Sequence, residues 1–462
     1  MPGLDKKIVL FENTPIPKAV LTLAVPTVLS SLVMVIYNLA DTYFVGMLGD
    51  PVQSSAVTLA APVLLAFNAI NNLFGVGSSS MMSRAMGRKD YEIVYKSSSF
   101  GFYCALFCGL IFSLLCTIFS KPLLLLLGAD NVTSEATAAY MLWTVNLGAA
   151  PSILNVVMAY LVRAEGSALH ASIGTMSGCA LNIILDPIFI LPWGLNLGAA
   201  GAGMATCISN CVACIYFFIL LFIKRGHTFV SINPKKLTFK KDIVLGVCGV
   251  GIPASIQNLL NVTGMTILNN FTSGYGANAI AAMGITQKIN MVPMNVSMGL
   301  SQGIMPLISY NYASGNVKRM KKTLTFAAKI SLTIIICVSL LYFIFPGLFI
   351  SMFMKNEAIV DYGSHFLRGF CLGLPFLCVD FLAVGVFQAV GMGRHSLIFA
   401  ILRKIVLEIP ALCLLNWIFP LYGLAYAQFI AEFILTIAAL VVLTRLFRKL
   451  EIKYKDKASF IE

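Results

Sequence analysis

Charge is scarce in this sequence. Asp, Glu, Lys and Arg make up 11% of its 462 residues, less than half of the roughly 25% usual in soluble domains. With 58% of positions apolar, a water-soluble globular chain is excluded. Histidine is almost missing: His170, His227, His365 and His395 are the only four, and they have no ligand-like spacing. The twelve cysteines are scattered through apolar runs, and the one cluster, Cys207, Cys211 and Cys214, has no histidine within about ten residues. These thiols read as small buried hydrophobes rather than metal ligands. No Gly-x4-Gly-Lys-Ser/Thr loop occurs, and no polar stretch exceeds about 20 residues, so nothing here houses a nucleotide or an ATP-driven engine. An enzyme is not expected, and neither is a cofactor. The segment before the first apolar run carries Asp5, Lys6, Lys7 and Glu12 and lacks a small-residue cleavage site, so that run is expected to remain as a helix.

What the sequence does have is apolar length. Runs near 18–44, 53–80, 96–119, 136–160, 168–190, 199–223, 244–272, 280–310, 325–347, 362–390, 396–418 and 422–444 each approach the size of a membrane-crossing helix, which needs about 20 mostly apolar residues. The fold class is therefore all-α integral membrane, with twelve transmembrane helices; the polar-studded runs 53–80 and 280–310 are the least regular. The net charge of +13 is compatible with nucleic-acid binding or with basic cytoplasmic loops, and position decides. Basic residues collect in alternate loops: Lys6, Lys7 and Lys18; Arg84, Arg88, Lys89 and Lys96; Arg163; Lys224 to Lys241; Lys318 to Lys329; Arg394; and the tail from Arg445. Lys121, Lys355 and Arg368 lie towards the other side, and Lys288, Arg403 and Lys404 fall inside spans. The pattern predicts both termini in the cytoplasm and removes nucleic acid as a partner.

The longest polar stretch, 224–242, divides the spans into two sets of six. The sets match: a shift of 228 residues pairs Gly46 with Gly274, Thr58 with Thr286, Gly75 with Gly303 and Gly87 with Gly315, while Asp41 falls on Asn269. With small further shifts, Pro26 meets Pro253 and Pro187 meets Pro410. An even number of spans per repeat predicts two six-helix lobes, 1–230 and 231–462, related by a pseudo-two-fold axis along the membrane normal, with a substrate route between them.

Without ATP, transport work must come from an ion gradient, which requires intramembrane groups that bind a cation or a proton. Five carboxylates lie in spans: Asp41, Asp186, Asp380, Glu408 and Glu432. Each costs about 2.5–3.5 kcal/mol at a helix centre on insertion scales. Asn182 stands four residues before Asp186, on the same helix face. Asp41, Asn182 and Asp186, with Thr206, would suit Na+ or hold a proton. Pro187 frees a backbone carbonyl beside the carboxylate, and Pro26 should kink the first helix. In the second half Gln257, Asn261, Lys288, Asp380, Arg403, Lys404 and Glu408 form a polar set, read first as a buried ion-pair network and otherwise as a second site; Glu432 is read as structural. Apart from Na+ at Asp41, Asn182 and Asp186, no metal is expected. The 32 Phe, 16 Tyr and 20 Met would suit a cavity for flat organic cations.

Several segments carry a family resemblance that covers nearly the whole chain: AVPTVLSSLVMVIYNLADTYFVGMLGD around Asp41, NLFGVGSSSMMSRAMGRKD after the second span, LNIILDPIFI and LNLGAAGAGMATCISN around Asp186, then GIPASIQNLLN, AMGITQKI and QGIMPLISYNYASGN. The sequence resembles the multidrug and toxic compound extrusion (MATE) transporters, in particular the bacterial branch similar to the DinF and MepA proteins. The resemblance implies two lobes, alternating access, and export of organic, often cationic, compounds by antiport with H+ or Na+. It maps the family's N-lobe cation site onto Asp41, Asn182, Asp186 and Thr206. Where another branch uses a glutamate in the seventh helix this sequence has Gln257, whereas Asp380 matches that branch's acidic position in the tenth. The competing reading is a flippase for lipid-linked oligosaccharide or cell-wall precursors, which a cationic cavity around Lys288 and Arg403 would favour. The chain is expected to act as a monomer in the bacterial plasma membrane, with the bilayer and small organic molecules as its partners.

Overall fold

The structure, a computed structural model, describes residues 2–459. Among the described residues it contains helices and no strands. Among the described residues nine helices are long and apolar enough to cross a membrane, and a tenth span is a pair bent by 48° at Gly148. The remaining two expected spans are helical as well, but polar: residues 277–313 form one unbroken 37-residue helix despite Pro293 and Pro306, and 393–418 carries Arg403, Lys404 and Glu408. All twelve expected spans are thus occupied by helical rods.

The chain forms two compact units, Met1–Asn13 with Leu29–Ser255, and Thr14–Val28 with Ile256–Glu462. Relative to a cut at residue 230, segments 14–28 and 231–255 are exchanged. Both transfers occur two residues after a proline, Pro26 and Pro253, where a missing backbone N–H loosens the helical ladder.

The first unit begins with α1 (Pro2–Glu12). Helix α2 (Ile16–Gly46) runs unbroken through Pro26 and enters this unit at Leu29. Helix α3 (Pro51–Asn71) starts where Asp50 accepts from Val52 N–H at 2.9 Å, and passes through a π turn at Asn72–Val76 into α4 (Gly77–Gly87). There follow α5 (Tyr91–Ile118), α6 (Ser120–Leu126), α7 (Ser134–Met141), α8 (Ala149–Ala164), α9 (Ala168–Ile190) and α10 (Gly198–Ile223). Without much hydrophobic force between helices in lipid, close approach depends on small residues. A Cβ on Gly178 of α9 would lie 3.2 Å from Ala213 of α10. Helix α11 (Lys241–Ser273) begins in this unit, where Gly251 meets the Leu73 carbonyl and Ser255 Oγ donates to the Ala69 carbonyl at 2.6 Å. Near the basic end of the unit, Lys7 on α1 pairs with buried Glu165 at 2.5 Å. The same carboxylate accepts from Thr228 Oγ1 and Phe229 N–H, both at 2.7 Å, and Phe11 is fully buried.

The second unit comprises the start of α2, the rest of α11, and α12 (Ala277–Ala313), α13 (Val317–Ile344), α14 (Pro346–Ser351), α15 (Glu357–Ala389), α16 (Gly393–Ile401), α17 (Ile409–Ile418) and α18 (Gly423–Ser459). Helix α15 is its enclosed centre, packed by α12, α13 and α18. A Cβ on Gly369 of α15 would lie 2.6 Å from Ala425 Cβ of α18. The start of α2 is seated against α12, where a Cβ on Gly303 would lie 2.7 Å from Ala24 Cα. The outer faces carry large apolar side chains such as Leu126 and Phe222, as a lipid-facing surface requires.

Candidate cation site

Three helices of the first unit converge on one polar centre. Helix α9 supplies Asn182 and Asp186, one turn apart and both enclosed, at 1% and 0% exposure. Thr206 comes from α10, and Asp41 from the part of α2 that belongs to this unit. With its carboxamide turned to satisfy both ends, Asn182 donates from Nδ2 to Asp186 Oδ2 at 2.8 Å, and its Oδ1 accepts from Thr206 Oγ1 at 3.2 Å and Thr206 N–H at 3.1 Å. Asp41 Oδ1 is shut away from solvent without a hydrogen-bond partner. Tyr37, one turn before Asp41, lies beside Asp41, Asp186 and Thr206, and Tyr140 of α7 stands near the same two carboxyls. The two aspartates are close enough for their charges to interact. Neither has a basic partner among the described residues. Two neighbouring carboxylates in a dry site cannot both carry bare charge, so the arrangement has the oxygens and the electrostatic demand for a cation or a proton.

The second unit has a polar cluster of another kind. A π turn at Leu402–Glu408 widens the helix and directs Arg403 and Lys404 inward, where both are buried. Arg403 Nε donates to Glu432 Oε1 at 2.6 Å, and its guanidinium lies 5.1 Å from the centre of the Phe381 ring. Lys404 Nζ reaches both oxygens of Glu408, at 2.8 and 2.6 Å. Asp380 accepts from Thr436 Oγ1 at 3.3 Å and lies within hydrogen-bond reach of the Glu432 carboxyl, while Asp380 Oδ2 and Glu432 Oε2 meet no donor among the described residues. A small cavity of about 80 Å³ reaches Asn261, Arg403, Lys404 and Glu408.

All four residues expected to form a cation site are therefore brought together in one unit. Of the second polar set, Asp380, Arg403, Lys404, Glu408 and Asn261 assemble. Gln257 is instead within 3.3 Å of Gln388 Nε2, and Lys288 is exposed and does not line the cavity, which corrects its place in the set: the helix periodicity of α12 turns it off the buried face. Sequence reasoning missed Tyr37, which its i−4 relation to Asp41 could have disclosed, and Tyr140, which nothing local connects to this site.

The profile of the MatE family matches residues 26–188 and 253–414. The chain is 35% identical over 460 residues to the multidrug export protein MepA of Staphylococcus aureus (strain MRSA252), covering 99% of both chains. It is 34% identical over 459 residues to the protein of that name from Staphylococcus saprophyticus, again covering 99% of each. Among solved structures it superposes on the outward-facing conformation of a multidrug resistance MATE family transporter of the MOP superfamily, with a TM-score of 0.90 and 26% identity over 96% of this chain and 99% of that one. Two matched segments covering most of the chain, full-length relatives and a shared all-helical membrane architecture place this protein in the MatE family of membrane transporters.

Proposed function

We propose that the protein is a secondary active exporter of organic, cationic or amphiphilic compounds, driven by antiport with H+ or Na+, and that Asp41, Asn182, Asp186 and Thr206 couple the ion to export. The observation that carries this reading is a buried Asp186 beside a half-buried Asp41, neither with a basic partner among the described residues and one Asp41 oxygen shut away and unsatisfied. Such a site is costly when left charged and empty of cations, and it is relieved by the ion that a gradient supplies. The full-length relatives named as multidrug export proteins support the same reading. Coupling requires that the ion bind the two conformations with different affinity, since a ligand with equal affinity for both shifts nothing. The distribution of basic loops supports cytoplasmic termini. The pairing of Arg403 and Lys404 with Glu432 and Glu408 weighs against the flippase reading, which would use them to hold a pyrophosphate.

The test is efflux of a fluorescent organic cation from vesicles holding the purified protein, with Na+ and H+ gradients imposed separately. One gradient should drive uphill export, and Asp41→Asn and Asp186→Asn should each abolish it. Wild-type rates in both variants at equal reconstitution would refute the assignment.

A further inference from the structure

At one membrane–water boundary of the second unit, α13 and α18 part to leave two adjoining hollows that share Lys321, Thr325, Lys329 and Glu451. The larger groove, of about 680 Å³, runs from a basic mouth to an apolar floor. The mouth carries Lys318, Lys321, Lys322, Lys329 and Arg448, all exposed. Lys321 is matched by Glu451 at 3.0 Å, and Glu451 is the one acid that lines either hollow. The other bases face the mouth without an acidic partner among the described residues. Leu332, Leu382, Leu440 and Leu443 line the floor.

The helical spacing explains this arrangement. Lys318, Lys322 and Lys329 recur at intervals of four and seven on one face of α13, and Leu440, Leu443 and Phe447 at intervals of three and four on one face of α18, with Arg448 beside them. The basic ends of both helices therefore lie at one level, and their apolar stretches continue from that level into the bilayer. Long basic side chains can hold a phosphate at the headgroup level while their methylenes lie along hydrocarbon. A soluble anion would use the mouth and leave the leucine floor unfilled. An uncharged lipid would use the floor and leave the bases unanswered. Only a ligand with an anionic head and an acyl chain satisfies both.

We propose that this groove between α13 and α18 is a binding site for an anionic phospholipid, its phosphate among Lys322, Lys329 and Arg448 and one acyl chain along the leucine floor. The claim goes beyond the transport reading and does not depend on it. Basic pockets between membrane helices are suited to such headgroups, with each basic residue near the surface contributing about 1 kcal/mol, about fivefold in affinity.

The experiment is native mass spectrometry of the full-length protein, released from nanodiscs of equal parts phosphatidylglycerol and phosphatidylcholine. The wild type should retain phosphatidylglycerol preferentially. A triple variant, Lys322→Ala, Lys329→Ala and Arg448→Ala, should lose that preference by at least tenfold. Lys18→Ala, Arg88→Ala and Arg394→Ala, three exposed bases that do not line the groove, should together leave it intact. Ala328→Trp, which fills the groove and keeps every charge, should also reduce retention. Unchanged retention in the triple variant, or an equal loss in the control, would overturn the site. Displacement of phosphatidylglycerol by equimolar glycerol 3-phosphate would show that the headgroup alone is bound and would overturn the lipid assignment.

Discussion

In the first unit Asp41 and Asp186 lie close together with no basic side chain to answer them among the described residues, whereas in the second Arg403 and Lys404 are each within 2.6 Å of a carboxylate oxygen. Both units bury acids at membrane depth, and both descend from one repeat. The difference is in what completes the charge balance. The second unit brings two counter-charges on the π turn, which commit Glu432 and Glu408 and leave Asp380 beside Glu432 without a base of its own. On the proposed reading, the first unit leaves the balance to an ion that arrives from outside, which is the condition for an ion-driven step. Repeat symmetry had aligned Asp41 with Asn269, and the asymmetry in acids is where the two units diverge in chemistry.

That contrast breaks most visibly through substitution in the first unit. Asp41→Asn and Asp186→Asn should each reduce gradient-driven export to background while leaving the melting temperature of the purified protein undiminished, because each removes an uncompensated buried charge. Loss of export accompanied by a collapse in melting temperature would make these residues structural, like those of the second unit. The mirror experiment is Arg403→Met. It strands Glu432 and Asp380 without their cation, and removing one partner of a buried pair costs about 3–5 kcal/mol. A large fall in thermal stability is expected, with the ion selectivity of residual transport unchanged. Preserved stability with altered ion selectivity would move the coupling role into the second unit.

A smaller effect should follow Pro26→Ala. It restores a donor to the helix ladder at the point where α2 passes from one unit to the other, and touches no ion ligand. Ion binding, measured by calorimetry, should survive while uphill export falls several-fold. Unchanged export would show that the two units work by rigid motion, with no contribution from this helix. The smallest effect lies outside the membrane, at Asp130, whose carboxylate accepts from Thr133 N–H and Oγ1 at 2.8 Å each and from Val132 N–H at 3.0 Å. The Thr133 backbone bond, first among these, holds its carboxyl below the usual carboxylate range. The bonds therefore contribute at neutral pH and fade only as pH falls through that lowered value. The protection of the Val132 and Thr133 amides, exchange being normalised to the intrinsic rate at each pH, should fall in acid, with no change in transport at neutral pH. Protection already lost near neutral pH would contradict the assignment.

The helices themselves were legible because a bilayer admits little else: each expected span is helical, and 168–190 coincides with α9 at both ends. The polar centre proposed as a cation site was legible for a related reason. A carboxylate at membrane depth is rare enough to single out, and the four-residue spacing of Asn182 and Asp186 fixes a shared face. The partners of Arg403 were harder to find, since Glu432 stands 29 residues away on another helix and nothing in sequence distance selects it. Lys7 read only as a marker of sidedness, yet it is held by Glu165, itself bonded to Thr228 and Phe229; a contact among three distant segments leaves no periodic trace. The segment exchange was equally hidden, because the prolines that permit it also suit an ordinary bent span.

The exchanged segments also govern how the protein can be made. Residues 14–28 leave the ribosome early, but the unit they complete begins only at Ile256. At usual synthesis rates they wait on the order of ten seconds or more for their neighbours. The first unit in turn cannot close until the start of α11 has emerged. Neither half of the gene product is then a self-sufficient folding unit. Separate halves divided at residue 230 should reach a native state only when produced together, each supplying the strip of helix that the other lacks.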